Sequence, residues 1–205
     1  IDSCIATIHC LRQQLNKITG KPNVCLSVFL LPQTGNKKDY MGFFAVTAGI
    51  GVDRLVEEFE KSSDTYSSLM VKILADRLSE AFAERLHELV RTTYWGYSPD
   101  ENLEVKDLLH VKYRGIRPAP GYPACPDHSE KETIFSILDV AATIGVSLTD
   151  SFMMQPAASV CGYYFAHPQS HYFSLGKIGD NQLIDHASRK GVDRKTIQKW
   201  IAPFL

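Results

Sequence analysis

The 205-residue sequence lacks most of the patterns that betray a function at sight. Its formal net charge is only −1, which leaves no electrostatic footprint for a nucleic acid or an anionic membrane. No apolar run reaches the length needed to span a bilayer, and the opening Ile1-Asp-Ser-Cys4 has neither the basic nor the apolar region of a signal peptide. Cysteine is sparse: five residues, odd in number and scattered, with no C-x-x-C pair, as expected of reduced thiols in a cytoplasmic protein. Ala48-Gly-Ile-Gly51 matches neither a phosphate-cradling loop nor a dinucleotide fingerprint, and no nucleophile elbow occurs. Repeats, low-complexity tracts and linkers are missing as well.

What is present is concentrated in ten residues, Arg117-Pro-Ala-Pro-Gly-Tyr-Pro-Ala-Cys-Pro126, of which four are proline. Four prolines forbid a helix, remove four backbone donors and push Arg117, Ala119, Tyr122 and Cys125 toward extended geometry. Gly121 is the one joint free to take positive φ. The expected result is a stiff ribbon with one bend, a permanent cation at its start and a phenol after the bend. Its remaining backbone groups are expected to be open to a ligand, at little cost in ordering entropy.

The rest of the chain reads as α+β: an antiparallel twisted sheet flanked by helices, one of them long and central. Apolar spacing predicts a helix over Asp2–Lys17. Strands are expected at Val24–Leu31 and Tyr40–Thr47, and a short helix over about 52–60. Asp64 caps a long helix through Thr93, whose buried stripe should be Met70, Leu74, Leu78, Phe82 and Leu86. A short helix near 102–109 and another from Asp127 to Thr143 follow, the second stopped by Gly145. Strands are then expected at Leu148–Met154, Val160–Ala166 and Tyr172–Ile178. Two closing helices, about 180–190 and 193–201, are split by Gly191. Residues 1–205 are read as one domain of a longer multidomain chain.

Few side chains outside the ribbon invite chemistry. Asp76, Glu80, Glu84 and Glu88 recur at i,i+4 and line one face of the long helix, where like charges repel by a few tenths of a kcal/mol per pair. A solvated, salt-bridged face accounts for them. The sharper alternative is that Glu80, at the helix centre, faces a cationic ligand. Tyr163-Tyr-Phe165 and Tyr172-Phe173 lie on two expected strands that, if paired, would form an aromatic wall. Cys125 and His128 are three apart, but no second pair follows to complete a zinc site. Pro126 and Asp127 give the Cys125 thiol no help in ionising, so a Cys/His hydrolase is disfavoured. Neither a catalytic acid, base or nucleophile nor a metal site stands out. The inventory is a guanidinium, a stiff polar ribbon, aromatic rings and nearby carboxylates. A zwitterionic ligand carrying a flat ring suits it.

The sequence resembles the C-terminal activation domain of cobalamin-dependent methionine synthases. The likeness rests on Leu11-Arg-Gln-Gln14, Asp39-Tyr-Met-Gly-Phe-Phe-Ala-Val-Thr47 and Met70–Glu84. It continues through Tyr94-Trp-Gly-Tyr97, Gly115–His128, Gly162-Tyr-Tyr-Phe165 and Trp200-Ile-Ala-Pro203. The resemblance implies that the Arg-x-x-x-Gly-Tyr motif, here Arg117, Gly121 and Tyr122, binds S-adenosylmethionine, with Arg117 on the methionine carboxylate. Ala124, Tyr172 and Phe173 would contribute further contacts, and Glu80 would face the sulfonium. It also implies a role in reductive reactivation of cobalamin held by another domain, with that domain and a flavodoxin or flavoprotein reductase as partners. The chain would not be self-sufficient, since it has no Asp-x-His-x-x-Gly corrin motif. The family pattern is longer at its N-terminus, where an aspartate meets the ligand's amino group, and some members carry an acid where this chain has Val111. A docking or regulatory module that binds no S-adenosylmethionine is the alternative those two departures favour.

Overall fold

The computed structural model describes residues 4–17, 20–34 and 37–205. Two antiparallel pairs of strands are embedded among helices, in keeping with the α+β expectation. After a 3₁₀ turn (Leu26–Phe29) comes strand β1 (Gly42–Thr47), followed by α1 (Val52–Lys61) and α2 (Thr65–Leu89), which continues into a π-helical turn (Val90–Tyr94). Short α3 (Val105–Leu109) precedes the proline ribbon, and α4 (Glu130–Leu138) and α5 (Val140–Ile144) follow it. Then come β2 (Ser147–Leu148), β3 (Met154–Gln155) and β4 (Ser159–Tyr164), before α6 (Asp180–Lys190) and α7 (Arg194–Trp200) close the fold. β1 pairs with β4, placing Phe44 opposite Gly162, and β2 pairs with β3.

Local chemistry explains most of these boundaries. The Asp64 carboxylate accepts from the Ser67 amide at 3.0 Å and caps α2. Asp193 caps α7 in the same way through Thr196. Gly145 and Gly191 end α5 and α6 in the left-handed region. Asp139, at φ +47°, breaks what the sequence predicts as one helix into α4 and α5.

Several sequence expectations fail; the strand expected over Leu148–Met154 is instead two short strands, β2 and β3, paired across a turn. Of the helix predicted over Asp2–Lys17, residues 2–3 lie outside the described residues, and 4–17 contain no helix. Arg12 instead bridges to Cys25, while the Gln13 side chain donates to the Ser174 carbonyl and accepts from the Val24 amide. Val24–Leu31 is a 3₁₀ turn at Leu26–Phe29 rather than a strand. Tyr172–Ile178 is not a strand either; Leu175 donates its amide to the Pro123 carbonyl at 3.0 Å, so the segment lies against the ribbon.

The correction with most bearing on the site concerns α2. Its buried residues are Ser68, Ala75, Ser79, Ala83 and His87. Of the expected core stripe, Leu74, Leu78 and Phe82 are 50–61% exposed, while Met70 is half-buried and Leu86 packs against the core below the helix. Small side chains let the helix approach the β1–β4 pair closely. Ala83 is fully buried with Phe44, Val46 and Tyr164, and the Phe44 and Tyr164 rings stack at 4.8 Å beneath it. The other face of β4 presents Cys161 and Tyr163 to a second core with Leu26, Ile116 and Ile134. A third core ties α6 and α7 to Leu11 and Leu175.

Candidate functional site

The proline ribbon lies along β4. The Tyr163 amide donates to the Pro118 carbonyl at 2.9 Å, and Ile116 exchanges both backbone bonds with Phe165 at 3.0 Å. Gly162 makes this approach feasible, since a Cβ there would stand 2.6 Å from the Pro118 oxygen. The bend is at Gly121 (φ +97°), whose amide donates to Cys125 at 2.7 Å. A side chain at that position would overlap the His128 ring. The ribbon's backbone is therefore less open than its composition implies. Of the backbone amides between Arg117 and Pro126, those of Ala119 and Ala124 alone make no hydrogen bond among the described residues.

Ribbon, α2, α3 and the segment after β4 enclose a cavity of about 770 Å³, within the size range of small-molecule sites. Glu80, Arg117, Tyr122, Ala124, Tyr172 and Phe173 all line it. Gly121 does not; it shapes the turn that presents Tyr122. Leu108, Leu109, Val111 and Val160 supply an apolar wall. Val111 is held at φ +53°, an uncommon backbone for a β-branched residue. The aromatic side of the cavity does not come from paired strands as expected. Tyr163 and Tyr164 are buried in the cores on either side of β4, whereas Tyr172 and Tyr122 stand half-exposed at the rim.

The cavity floor carries charge. Arg117 Nη2 donates to Glu84 Oε2 at 2.5 Å, and its backbone amide donates to the Tyr172 hydroxyl at 3.0 Å. Burial works against the Arg117 charge, but the Glu84 carboxylate more than offsets it and holds the guanidinium above its ordinary pKa. Behind them Arg91, with no solvent exposure, makes two bonds from Nε and one from Nη2 to the Glu101 carboxylate at 2.7–2.9 Å. Its guanidinium lies 4.2 Å over the Tyr113 ring. The π turn, closed by the Trp95 amide donating to the Val90 carbonyl at 3.0 Å, sets the register of this corner. His87 is sealed between the Tyr164 and Tyr113 rings. Burial, then the neighbouring Arg91 and Arg117 charges, push its pKa down to about 2, so it is neutral.

Sequence reasoning passed over Glu84 in favour of Glu80, and missed Arg91, Glu101 and Tyr113. Glu80 bonds outward to Arg77 at 2.8 Å. The i,i+4 carboxylate pattern contained the signal for Glu84 without the means to choose between them. Arg91 gave none, because a lone arginine near a helix end reads as solvated. Cys125 and His128 form no reactive pair. The Cys125 thiol is buried and its pKa pushed up by burial first and then by the Glu130 and Asp127 charges, while His128 Nδ1 meets Lys131 Nζ at 3.0 Å.

Residues 2–191 match the family model described as the vitamin B12-dependent methionine synthase activation domain. The chain belongs to that family. Among solved structures, this activation domain is similar to a crystal structure described as the MetH reactivation domain bound to AdoHcy. The two share 52% sequence identity with a TM-score of 0.94, over 98% of this chain and 62% of that one. This activation domain thus spans under two thirds of the length of that neighbour.

Proposed function

We propose that this activation domain binds S-adenosylmethionine in the cavity beside the proline ribbon and supports reductive methylation of cob(II)alamin held by another domain of its parent enzyme. The observation that carries the reading is the convergence on one cavity of a charged guanidinium, two carboxylates and a rim of aromatic rings. That set matches a zwitterionic amino-acid tail joined to a flat base. The two unpaired ribbon amides, Ala119 and Ala124, suit the polar edges of such a ligand.

Each residue has a separate task. Arg117 donates to the ligand carboxylate through nitrogens not used by Glu84. Glu80 supplies negative potential for the sulfonium, while Glu84 is committed to Arg117. Tyr122, Tyr172 and Phe173 flank the base, and the wall of Leu108, Leu109 and Val160 keeps water from the reacting end. S-adenosylmethionine bound here would supply a methyl cation equivalent which, with one electron from a flavodoxin or flavoprotein reductase, would methylate cob(II)alamin and leave S-adenosylhomocysteine. This chain provides no acid, base or nucleophile for that step; it holds the donor and excludes water. No helix among the described residues is long and apolar enough to cross a membrane, and we place the parent enzyme in the cytoplasm.

Calorimetric titration with S-adenosylmethionine tests the reading. Wild-type protein should bind, and Arg117→Ala should lose roughly tenfold to a hundredfold in affinity, the value of a hydrogen bond to a charged group. No heat at millimolar ligand would overturn it in favour of a docking module that binds no S-adenosylmethionine.

A further inference from the structure

We infer that Glu84 is the positioning residue that readies Arg117 for a carboxylate-bearing ligand, so that this pair makes the site selective for nucleosides carrying an amino-acid tail. The inference rests on the proposed ligand class and assigns the part of the site that chooses within it.

Arg117 sits on a ribbon without helix or strand to fix its side chain, and a guanidinium has five donors that can be spent in several ways. Its surroundings decide which of them face the cavity. Glu84 Oε2 takes one Nη2 hydrogen. Glu84 Oε1 lies 3.9 Å from Arg91 Nη1, near enough for charge attraction and too far for a hydrogen bond. Arg91 cannot move toward the cavity, because Glu101 grips it with three bonds and the Tyr113 ring covers its face. The result is a line of alternating charge, Glu101, Arg91, Glu84, Arg117, neutral in sum and running from the π turn to the cavity. Glu80, one turn earlier on α2, cannot replace Glu84, because its bonded partner is the solvent-side Arg77.

Two consequences follow from removing the Glu84 charge. Arg91, fully buried, and Arg117, partly buried, are left as cations with only one carboxylate between them, which drives Arg117 outward. The ordering of the Arg117 side chain, now completed before the ligand arrives, would have to be completed on binding. Both effects fall on the ligand's carboxylate and leave the base contacts untouched.

The test is calorimetry with two commercial ligands, S-adenosylhomocysteine and 5′-methylthioadenosine, which lacks the amino-acid tail. Glu84→Gln should weaken S-adenosylhomocysteine roughly tenfold, the loss of one charge-assisted bond. It should leave 5′-methylthioadenosine unchanged, and it should cost nothing further when added to Arg117→Ala, since coupled residues are non-additive. Equal losses on both ligands, additivity with Arg117→Ala, or tighter binding by Glu84→Gln would each overturn the inference. Thermal melting checks that the variant is folded; if it is not, Glu84→Asp, which keeps the charge one methylene short of Arg117, serves the same comparison. Wild-type protein that binds S-adenosylhomocysteine while Glu84→Gln behaves identically sinks the inference alone. Wild-type protein that binds neither ligand removes the ligand class and the inference with it.

Discussion

Two arginines of the same helical run meet glutamates in different media. Arg77 and Glu80 meet at 2.8 Å on the outer side of α2, with most of both side chains in water. Arg91 and Glu101 meet at 2.7 Å where almost no solvent reaches either. The bond lengths are nearly the same, yet the outer pair is expected to contribute little to stability, because solvent competes for both ends and two long side chains must be ordered. The inner pair need not be a large net gain over an apolar substitute, but neither partner can be removed without stranding the other. Burial, more than distance, decides what a salt bridge does here.

The sharpest way to break this contrast is Arg91→Ala. It strands the Glu101 carboxylate and should cost about 3–5 kcal/mol, read as a lower midpoint in urea denaturation. A loss below about 1 kcal/mol would put the two pairs on the same footing and refute the distinction.

A smaller effect should follow pH. His87, beside the inner pair, stays neutral in the folded state and binds a proton near pH 6.5 once unfolded. A pKa depressed by folding gives stability that is complete above 6.5 and is lost as pH falls from there toward about 2. The slope should approach about 1.4 kcal/mol per pH unit, seen as falling urea midpoints between pH 7 and 5. His9 and His128 are lowered as well, by burial first, and act in the same direction. His87→Phe should therefore flatten the dependence without abolishing it; an unchanged slope would show that His87 takes up its proton in the folded state.

The smallest effect belongs to the outer pair. Arg77→Ala should change stability by no more than about 1 kcal/mol. A larger loss in the urea midpoint would mean that the outer face is less solvated than its exposure indicates.

The same contrast explains what was legible in the sequence. Features governed by one residue's own backbone chemistry were readable: the Asp64 cap, the Gly145 and Gly191 stops and the bend at Gly121; the extended ribbon was not, since residues 119–125 close into hydrogen-bonded turns. The ribbon's tie to a ligand-sized cavity was readable too, because Arg117, Tyr122 and Ala124 are close in sequence. Distance in the chain hid the rest. Hydrophobic spacing named Leu74, Leu78 and Phe82 as the core of α2, since it scores apolar area and cannot score closeness of approach; Ala83 and Ser79 face inward because β1 and β4 come so near. The N-terminal segment has helical spacing, but Gln13 and Gln14 find partners more than 160 residues away at Ser174 and Gly179, and such partners leave no local mark. Arg91 and Glu84 belong to the same class: each is ordinary until another stretch of chain is folded against it.

The π turn at Val90–Tyr94 can be stated as a matter of counting. It holds one residue more per turn than the α-helix it continues, with its closing bond reaching from Trp95 back to Val90. Deleting a single residue there would restore α register and swing everything downstream by about 100° around the helix axis. Tyr97 and Glu101 would then leave His87 and Arg91, to which they are now bonded. Loop length is forgiving over much of a protein surface. In this stretch, the number of residues is as much a part of the site as their identities.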